Sequence, residues 1–546
     1  MKLVFPVSLF RYYVTNPWLI AAFIAVLFLL LPLLIVMSGL FYPANEIWNH
    51  IVNNLLPAYL INTLILIVSV GLLSFLIGVN AAWLVSTYRF KGRGFFEYAL
   101  VLPMAIPAYI SGFAYAGMLD YTSPLYTFLR NNFGFETGQF LFFNVLSLPG
   151  AIIIFSMALY PYVYLISKAY FQQQSGNVAE AGASMGMSRT AVYFRLILPM
   201  ARPAYAAGLS LVIMEVLNDY GLVKYFGVET FTTGIFTAWF GFGNLGAALK
   251  LSVYLMILVL ALILIERFHR RKKRFASTSS VKRLNRIKIS SRYGWLFFLF
   301  CLIPFMFGFI IPLSAFIYWT ISAFEIISFD FVHLLINSFQ LATISSLLIV
   351  TLTVFLAFVV RTYPYMIPRA LVRLSTLGYA IPGAVVAIGI LVITIWLDQH
   401  LNYGRTWILL TGSYVALVYA YLVRFMAVGY NSIESGNAKI STKLDQASRS
   451  LGVSKLRTLV QINIPLLQGP IIAASLLVFI DVLKELPLTL IMRPFNFDTL
   501  AVRVFEYASD ERISEAAPAA LVIILIGIIP VYVLSAILKQ KNNDNT

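Results

Sequence analysis

Charge is scarce in this 546-residue chain. Asp, Glu, Lys and Arg make up 11% of it and hydrophobic residues 60%, whereas soluble proteins carry about 25% charged residues. That balance excludes a water-soluble globular class and points to an integral membrane protein. Cysteine is nearly absent. The single Cys301 lies in an apolar run, so no internal disulfide can form, and no His/Cys cluster has zinc-site spacing. The four histidines, His50, His269, His333 and His400, are scattered. The pattern Gly-x-x-x-x-Gly-Lys-Ser/Thr does not occur, so the chain is not expected to bind ATP through a P-loop of its own. The charge present is lopsided, +17 at neutral pH. A basic excess can signal nucleic acid, but here Lys and Arg sit in short stretches between apolar runs, as topology signals near anionic lipid do. Tyrosine is abundant, 31 residues. Membrane interfaces collect it, so its number implies no metal.

A membrane span needs about 20 apolar residues. The sequence predicts twelve, at 18–41, 58–86, 96–119, 146–167, 203–223 and 246–265, then 295–318, 335–360, 371–397, 406–427, 470–492 and 517–538. The run from Trp18 to Phe41 exceeds the ~7–15-residue core of a signal peptide and is read as a retained first span. Spans five and eleven carry charges. Between the halves, Arg267 to Arg292 is dense in Lys and Arg and has no Asp or Glu. By the positive-inside rule it is expected to be cytoplasmic, with both chain termini. The expected organisation is a first half at 1–266, a basic linker at 267–293 and a second half at 294–546. The clusters Arg89/Lys91/Arg93, Arg361/Arg369/Arg373 and Lys539/Lys541 then fall on the linker's side.

The halves read as parallel repeats. Asn62–Thr63 recurs as Asn337–Ser338, and Ala105–Ile106–Pro107 as Ala380–Ile381–Pro382. Tyr160 and Tyr162 recur as Tyr419 and Tyr421. The best-matched segment is polar and rich in small residues: EAGASMGMSRTAVYFRLILP from Glu180 to Pro199, and QASRSLGVSKLRTLVQINIP from Gln446 to Pro465. Ala181 and Gly182, and Ala447 in the second copy, let backbone lie close to a neighbour. Gly186 and Gly452 can take the left-handed conformation that ends a helix. Ser188 and Ser454 can cap the next one, and Pro199 and Pro465 are expected to stop it. About seven extra residues precede the second copy, near Asn437–Leu444. Two equivalent loops on one side of a bilayer suggest two docking points, and a pathway would run between the halves.

Glu215, Asn218 and Asp219 lie near the outer end of span five, and Asp481, Lys484 and Glu485 hold the equivalent places in span eleven. At i, i+3 and i+4 each set is expected on one helical face. Charges at depth cost about 2.5–3.5 kcal/mol each on insertion scales and usually face a bundle interior or water. They are candidates for the outer mouth of a pathway. The plainer reading is a salt bridge of Lys484 with Asp481 or Glu485. The loops that follow, with Phe231–Thr233 and Phe497–Thr499, are expected to face outward toward a delivery partner, the plainer reading being a re-entrant or interfacial loop with no partner. Pro107 and Pro382 are candidate kinks in spans three and nine.

The paired loops resemble the EAA motif of ABC-importer permeases, a Glu-Ala-Ala start followed by Gly and later Pro at these spacings. LPMAIPAYISGFAYAGMLDY (102–121), SLPGAIIIFSMALYPYVYL (147–165) and YFGVETFTTGIFTAWFGFG (225–243) look like the first half of fused ferric-iron permeases. GYAIPGAVVAIGIL (378–391) and DVLKELPLTLIMRPFNFDTLAVRVFEYASDE (481–511) look like the second. The resemblance implies an all-α membrane protein of two parallel six-helix repeats in the bacterial inner membrane. It implies two copies of a separate cytoplasmic ATPase on the EAA loops, carrying the ATP, and a periplasmic or lipid-anchored binding protein. It implies no cofactor on this chain and no enzymatic activity of its own. Glu180, Ala181, Gly186 and Pro199 carry over directly, as do Ala447, Gly452 and Pro465. Gln446 departs from the family glutamate, and Asp445 beside it is out of register. Within the same class, thiamine, polyamines or another small solute are alternative cargoes. An ion-coupled secondary transporter would also show twelve spans but would not need the paired loops. A membrane-embedded transferase would need clustered catalytic residues, which the sequence lacks.

Overall fold

The computed structural model describes residues 16–120, 122–134, 144–271, 286–322, 329–401 and 410–543. Most of the basic linker lies outside them, and with it the expected side for that segment. Among the described residues nine helices are long and apolar enough to cross a membrane, and three bent helix pairs also qualify. With each pair counted as one span there are twelve, matching the expected positions one for one. The chain is thus a multi-pass all-α membrane protein. Helices are what lipid permits, because each backbone group is bonded within its own segment. The one described sheet is a two-residue parallel pairing of Tyr88–Arg89 with Ile287–Lys288.

The bent pairs are Arg93–Ala105 with Ala108–Met118 (89°), Thr190–Met200 with Arg202–Asn218 (65°) and Lys455–Leu466 with Gln468–Lys484 (77°). The last two are the charged spans five and eleven. Pro107 lies at the break of the first bent pair, so span three turns beside it, but neither it nor the equivalent Pro382 stands inside a continuous helix. Each precedes a helix, Ala108–Met118 and Gly383–Leu401, where a missing N–H costs nothing.

Other prolines act differently. Wide five-residue turns, closed by bonds to the fifth residue back, occupy Ile51–Leu55, Tyr193–Ile197, Met306–Ile310 and Leu459–Asn463. A proline follows each of these, two residues later, at Pro57, Pro199, Pro312 and Pro465, whereas a fifth such turn, Thr237–Gly241, has none. A proline ring collides with the carbonyl four residues back and offers no N–H, and widening the turn moves that carbonyl aside. The expectation that Pro199 and Pro465 stop their helices is therefore corrected. The helices continue to Met200 and Leu466, and the bends fall at Ala201 and Leu467.

The described residues divide into two compact units. The N-core unit comprises the described parts of Ala44–Phe242, Tyr254–Phe331 and Leu500–Thr546. In it, helices Leu56–Thr87, Leu148–Ser184 and Arg202–Asn218 pack on one another, and Ile311–Ser322 packs on Ile513–Asn543. Phe113, Phe155, Tyr160 and Tyr164 are fully buried. Buried Glu97 is paired with Arg93 and with Lys168 Nζ at 3.3 Å, and accepts from Gln172 Nε2 at 3.1 Å.

The C-core unit comprises the described parts of Met1–Pro43, Gly243–Val253 and Val332–Thr499. Helix Tyr414–Asn437 packs on Gln468–Lys484, and Pro17–Ser38 lies against Gly383–Leu401 and Met366–Ser375. Trp18 sits between Phe355 and Phe358, with ring centres 6.0 and 5.5 Å away. Asn16 Nδ2 donates to the Tyr363 hydroxyl at 2.8 Å. The opposite face of Pro17–Ser38 leaves Phe23, Ile24 and Leu34 exposed, as suits a helix facing lipid.

Candidate functional site

The two polar loops have the same local geometry, each in its own unit. Helix Leu148–Ser184 ends with Met185 N–H donating to Ala181 O (3.2 Å) and Met187 N–H to Gly182 O (3.1 Å). Helix Lys443–Ser450 ends with Leu451 N–H donating to Ala447 O and Val453 N–H to Ser448 O, both 3.1 Å. Gly186 has φ +71° and Gly452 φ +73°, the left-handed turn that closes such an end. Ser188 Oγ accepts from Ala191 N–H at 3.3 Å and Ser454 Oγ from Arg457 N–H at 3.4 Å. The helix–glycine–serine–helix order expected from the residues is what the backbone adopts.

Side chains divide the same way in both copies. Gly182 and its equivalent Ser448 are buried, and the Ser448 hydroxyl meets Thr458 Oγ1 at 2.7 Å. Glu180 and Gln446, Ala181 and Ala447, and both glycines are exposed. So are Met185 (66%) and Leu451 (81%), each directly before its glycine. An exposed apolar side chain at one place in two repeats reads as a contact surface.

The copies differ in how they are held. The first emerges from one unbroken helix, Leu148–Ser184. The second is cut off from Tyr414–Asn437 by residues 438–442, where the sequence has its extra residues. Arg361 pins this break. Its Nε lies 2.5 Å from Asp445 Oδ2, its Nη1 donates to the carbonyls of Asn437 and Ile440 (both 3.1 Å), and its Nη2 to Ser441 O (3.0 Å). Asn463 Nδ2 donates to the other carboxylate oxygen at 3.3 Å. Asp445, out of register in the motif, is thus the anchor of the second loop. Sequence reading passed over Arg361 as a topology charge.

The acidic sets lie at helix ends. Helices Arg202–Asn218 and Gln468–Lys484 stop one residue short of Asp219 and Glu485, which have extended backbone (ψ 133° and 121°). The single shared face expected for each trio is therefore corrected. Asp219 Oδ1 accepts from Leu222 N–H at 2.8 Å, and Glu485 Oε1 from Leu488 N–H at 3.2 Å. Each carboxylate satisfies the start of the next short helix, Gly221–Tyr225 or Pro487–Met492. Glu485 is also paired with Arg424 Nε at 3.4 Å, both buried. Arg424 Nη1 donates to Ile381 O. Arg424 is thus a cation paired with Glu485, and nothing in the spacing along the sequence brought the two together. Glu215, Asn218, Asp481 and Lys484 are half-buried, with Tyr162 Oη 3.5 Å from Glu215 Oε1.

The loops beyond fold inward. Phe231, Thr232 and Thr233 are buried, and Thr230 and Thr233 cap the helix that starts there. Thr499 is buried too, and Phe497 is half-buried. The repeated asparagines hold these loops: Asn62 Nδ2 donates to Glu229 O (3.0 Å) and Asn337 Nδ2 to Asp498 O (3.4 Å). Phe231–Thr233 are therefore packed within their unit rather than turned outward. Tyr220 stacks on Phe236 with ring centres 3.6 Å apart. Among the described residues no three His, Cys, Asp or Glu side chains converge in a metal-binding group.

Comparison with known proteins agrees with this arrangement. The model of the family described as "Binding-protein-dependent transport system inner membrane component" matches twice, at 74–274 and 349–543. The chain is 28% identical over 480 residues to the Fe(3+)-transport system permease protein FbpB 2 of Haemophilus influenzae, covering 87% of this chain and 88% of that protein. It is 22% identical over 508 residues to the putative ferric transport system permease protein FbpB 1 of the same organism, covering 88% and 77%. A probable sulfate transport system permease protein cysT of Chlorella vulgaris is 25% identical over 210 residues, 37% of this chain and 76% of that protein.

Proposed function

We propose, for a chain that belongs to the binding-protein-dependent transport system inner membrane family, that it is the permease of an ATP-driven importer whose cargo is ferric iron. The iron reading is supported by two relatives named as ferric permeases, each aligned over most of this chain. A binding protein, periplasmic or lipid-anchored, hands the ion to the outer face, and the chain lies in the bacterial inner membrane with its termini and basic linker in the cytoplasm. The polar helix ends Glu215–Asp219 and Asp481–Glu485 border the pathway. Residues 1–266 and 294–546 act as the two rocking halves.

The observation that carries the coupling reading is the duplicated loop: the same left-handed glycine, the same serine cap and the same exposed apolar residue, Met185 or Leu451. Two equivalent loops suit two copies of one cytoplasmic ATPase. That partner holds the ATP and hydrolyses it, and the permease itself carries no cofactor. Each loop is a short rigid lever, because its glycine turn is closed by backbone bonds and its second helix runs directly into a span-five or span-eleven helix.

The test is co-purification with the candidate ATPase, read by mass. Two ATPase copies per chain are expected. Met185→Asp with Leu451→Asp, which places a charge where an apolar side chain meets its partner, is expected to cut retention about tenfold, the effect of losing ~1.4 kcal/mol. Undiminished retention in the double variant contradicts the assignment of the loops. A second reading concerns cargo alone. The sulfate relative matches 37% of the chain at an identity no lower than that of a ferric relative aligned over 88% of it, so another small solute, thiamine and polyamines included, is the alternative.

A further inference from the structure

We propose that the C-core unit holds a binding site for a phosphate-bearing anion beside its coupling loop. The site is a cleft of about 540 Å³. It is bounded by helix Met366–Ser375, by the end of Tyr414–Asn437 and by helix Lys443–Ser450, and Arg361, Arg369, Arg373, Arg449, Glu434 and Gln446 all line it.

The four guanidiniums are not equivalent. Arg361 is committed to Asp445 and to three backbone carbonyls, and that pair cancels within the wall. Arg369, Arg373 and Arg449 are exposed. Among the described residues no carboxylate lies in ion-pair range of any of them, and Glu434 is the remaining acidic group in the lining. Arg369 and Arg373 stand four residues apart on a ten-residue helix, where like charges repel. Arg449 approaches from a different helix. Three exposed cations from two helices thus border one cleft, and an anion seated there would offset their repulsion.

Gln446 sharpens the argument. It lines the cleft at the place where the first loop has Glu180. A glutamate there would offset one arginine, and the amide leaves the cleft net positive. Guanidinium forks match phosphate oxygens with two bonds at once, and a dianion suits three converging cations better than a carboxylate does. The volume admits a phosphate with its ester substituent. Met366 and Leu374, on the same helix as Arg369 and Arg373, are exposed apolar residues, so an anionic lipid headgroup and a free phosphate both meet the chemistry. A bound anion would join Met366–Ser375 to Lys443–Ser450 and stiffen the second loop alone. That consequence rests on the coupling reading, whereas the site does not.

The experiment uses the full chain without any ATPase, so its failure is distinct from failure of the coupling reading. The chain is placed in nanodiscs of phosphatidylcholine, with and without phosphatidylglycerol, and thermal unfolding is followed with added inorganic phosphate or pyrophosphate. An unfolding midpoint raised by phosphatidylglycerol alone assigns a lipid headgroup, and one raised by phosphate or pyrophosphate in neutral discs assigns a free anion. In either case Arg369→Gln with Arg373→Gln is expected to weaken binding at least about tenfold, the effect of losing one charge-assisted contact. Gln446→Glu, which restores the residue type of the first loop and leaves the helix intact, is expected to weaken binding in the same direction. No rise with any probe, or a rise unchanged in both variants, overturns the proposal.

Discussion

Gly186 and Gly452 are the residues on which the coupling account is most exposed to test. Both hold a left-handed backbone, and at neither does any atom lie within 4 Å of where a Cβ would stand. A substitution there strains the backbone without a clash, at about 1–2 kcal/mol. Gly186→Val or Gly452→Val is therefore expected to leave the chain folded while ATP hydrolysis ceases to respond to loaded binding protein. Alanine at either position should do less than valine. Hydrolysis and uptake that both respond normally in the valine variants would contradict this. The Arg424–Glu485 pair makes a prediction of a different kind. Removing one partner of a buried pair costs ~3–5 kcal/mol, whereas replacing both costs far less. Arg424→Met should lower the unfolding midpoint sharply, and Arg424→Met with Glu485→Gln should recover most of it. Simple additivity of the two single effects would show that the pair is not coupled.

At the scale of elements, the two loops share a backbone but not a support. The first belongs to one unbroken helix, while the second hangs on Arg361 and its four acceptors. Arg361→Ala should speed amide hydrogen exchange across 438–450 and leave 181–190 unchanged. Equal change in both segments, or none, would show that Arg361 is not the pin. These elements also mark how far the sequence could be read. The glycine turn, the serine cap and the twelve spans were legible, because each depends on residues close together along the chain or on a long apolar run. The wide turns before Pro199 and Pro465 were not. Proline signals an interrupted hydrogen bond, but whether a helix answers by stopping or by widening depends on what packs around it. Arg424 with Glu485 and Arg361 with Asp445 were missed for another reason. They join residues 61 and 84 positions apart, and no periodicity within a span reports such a contact.

For the whole molecule, the division into units was the least legible feature. Helix Pro17–Ser38 counts with the C-core unit, and helices Ser291–Phe305 and Ile513–Asn543 with the N-core unit. Apolar helices suit any apolar neighbour, so hydropathy counts spans without saying what they pack against. Function was legible to the level of class through the duplicated loop, and the family match supports that class. The cargo is the claim to test most directly. Proteoliposomes would hold this chain with its co-purifying ATPase, ATP inside and an iron-loaded binding protein outside, and the uptake of labelled ferric iron would be measured. The account predicts accumulation that requires both ATP and the binding protein and is lost in Gly186→Val. Iron entry that follows an ion gradient without ATP would contradict the importer itself, and ATP hydrolysis stimulated by the binding protein without iron entry would contradict the cargo.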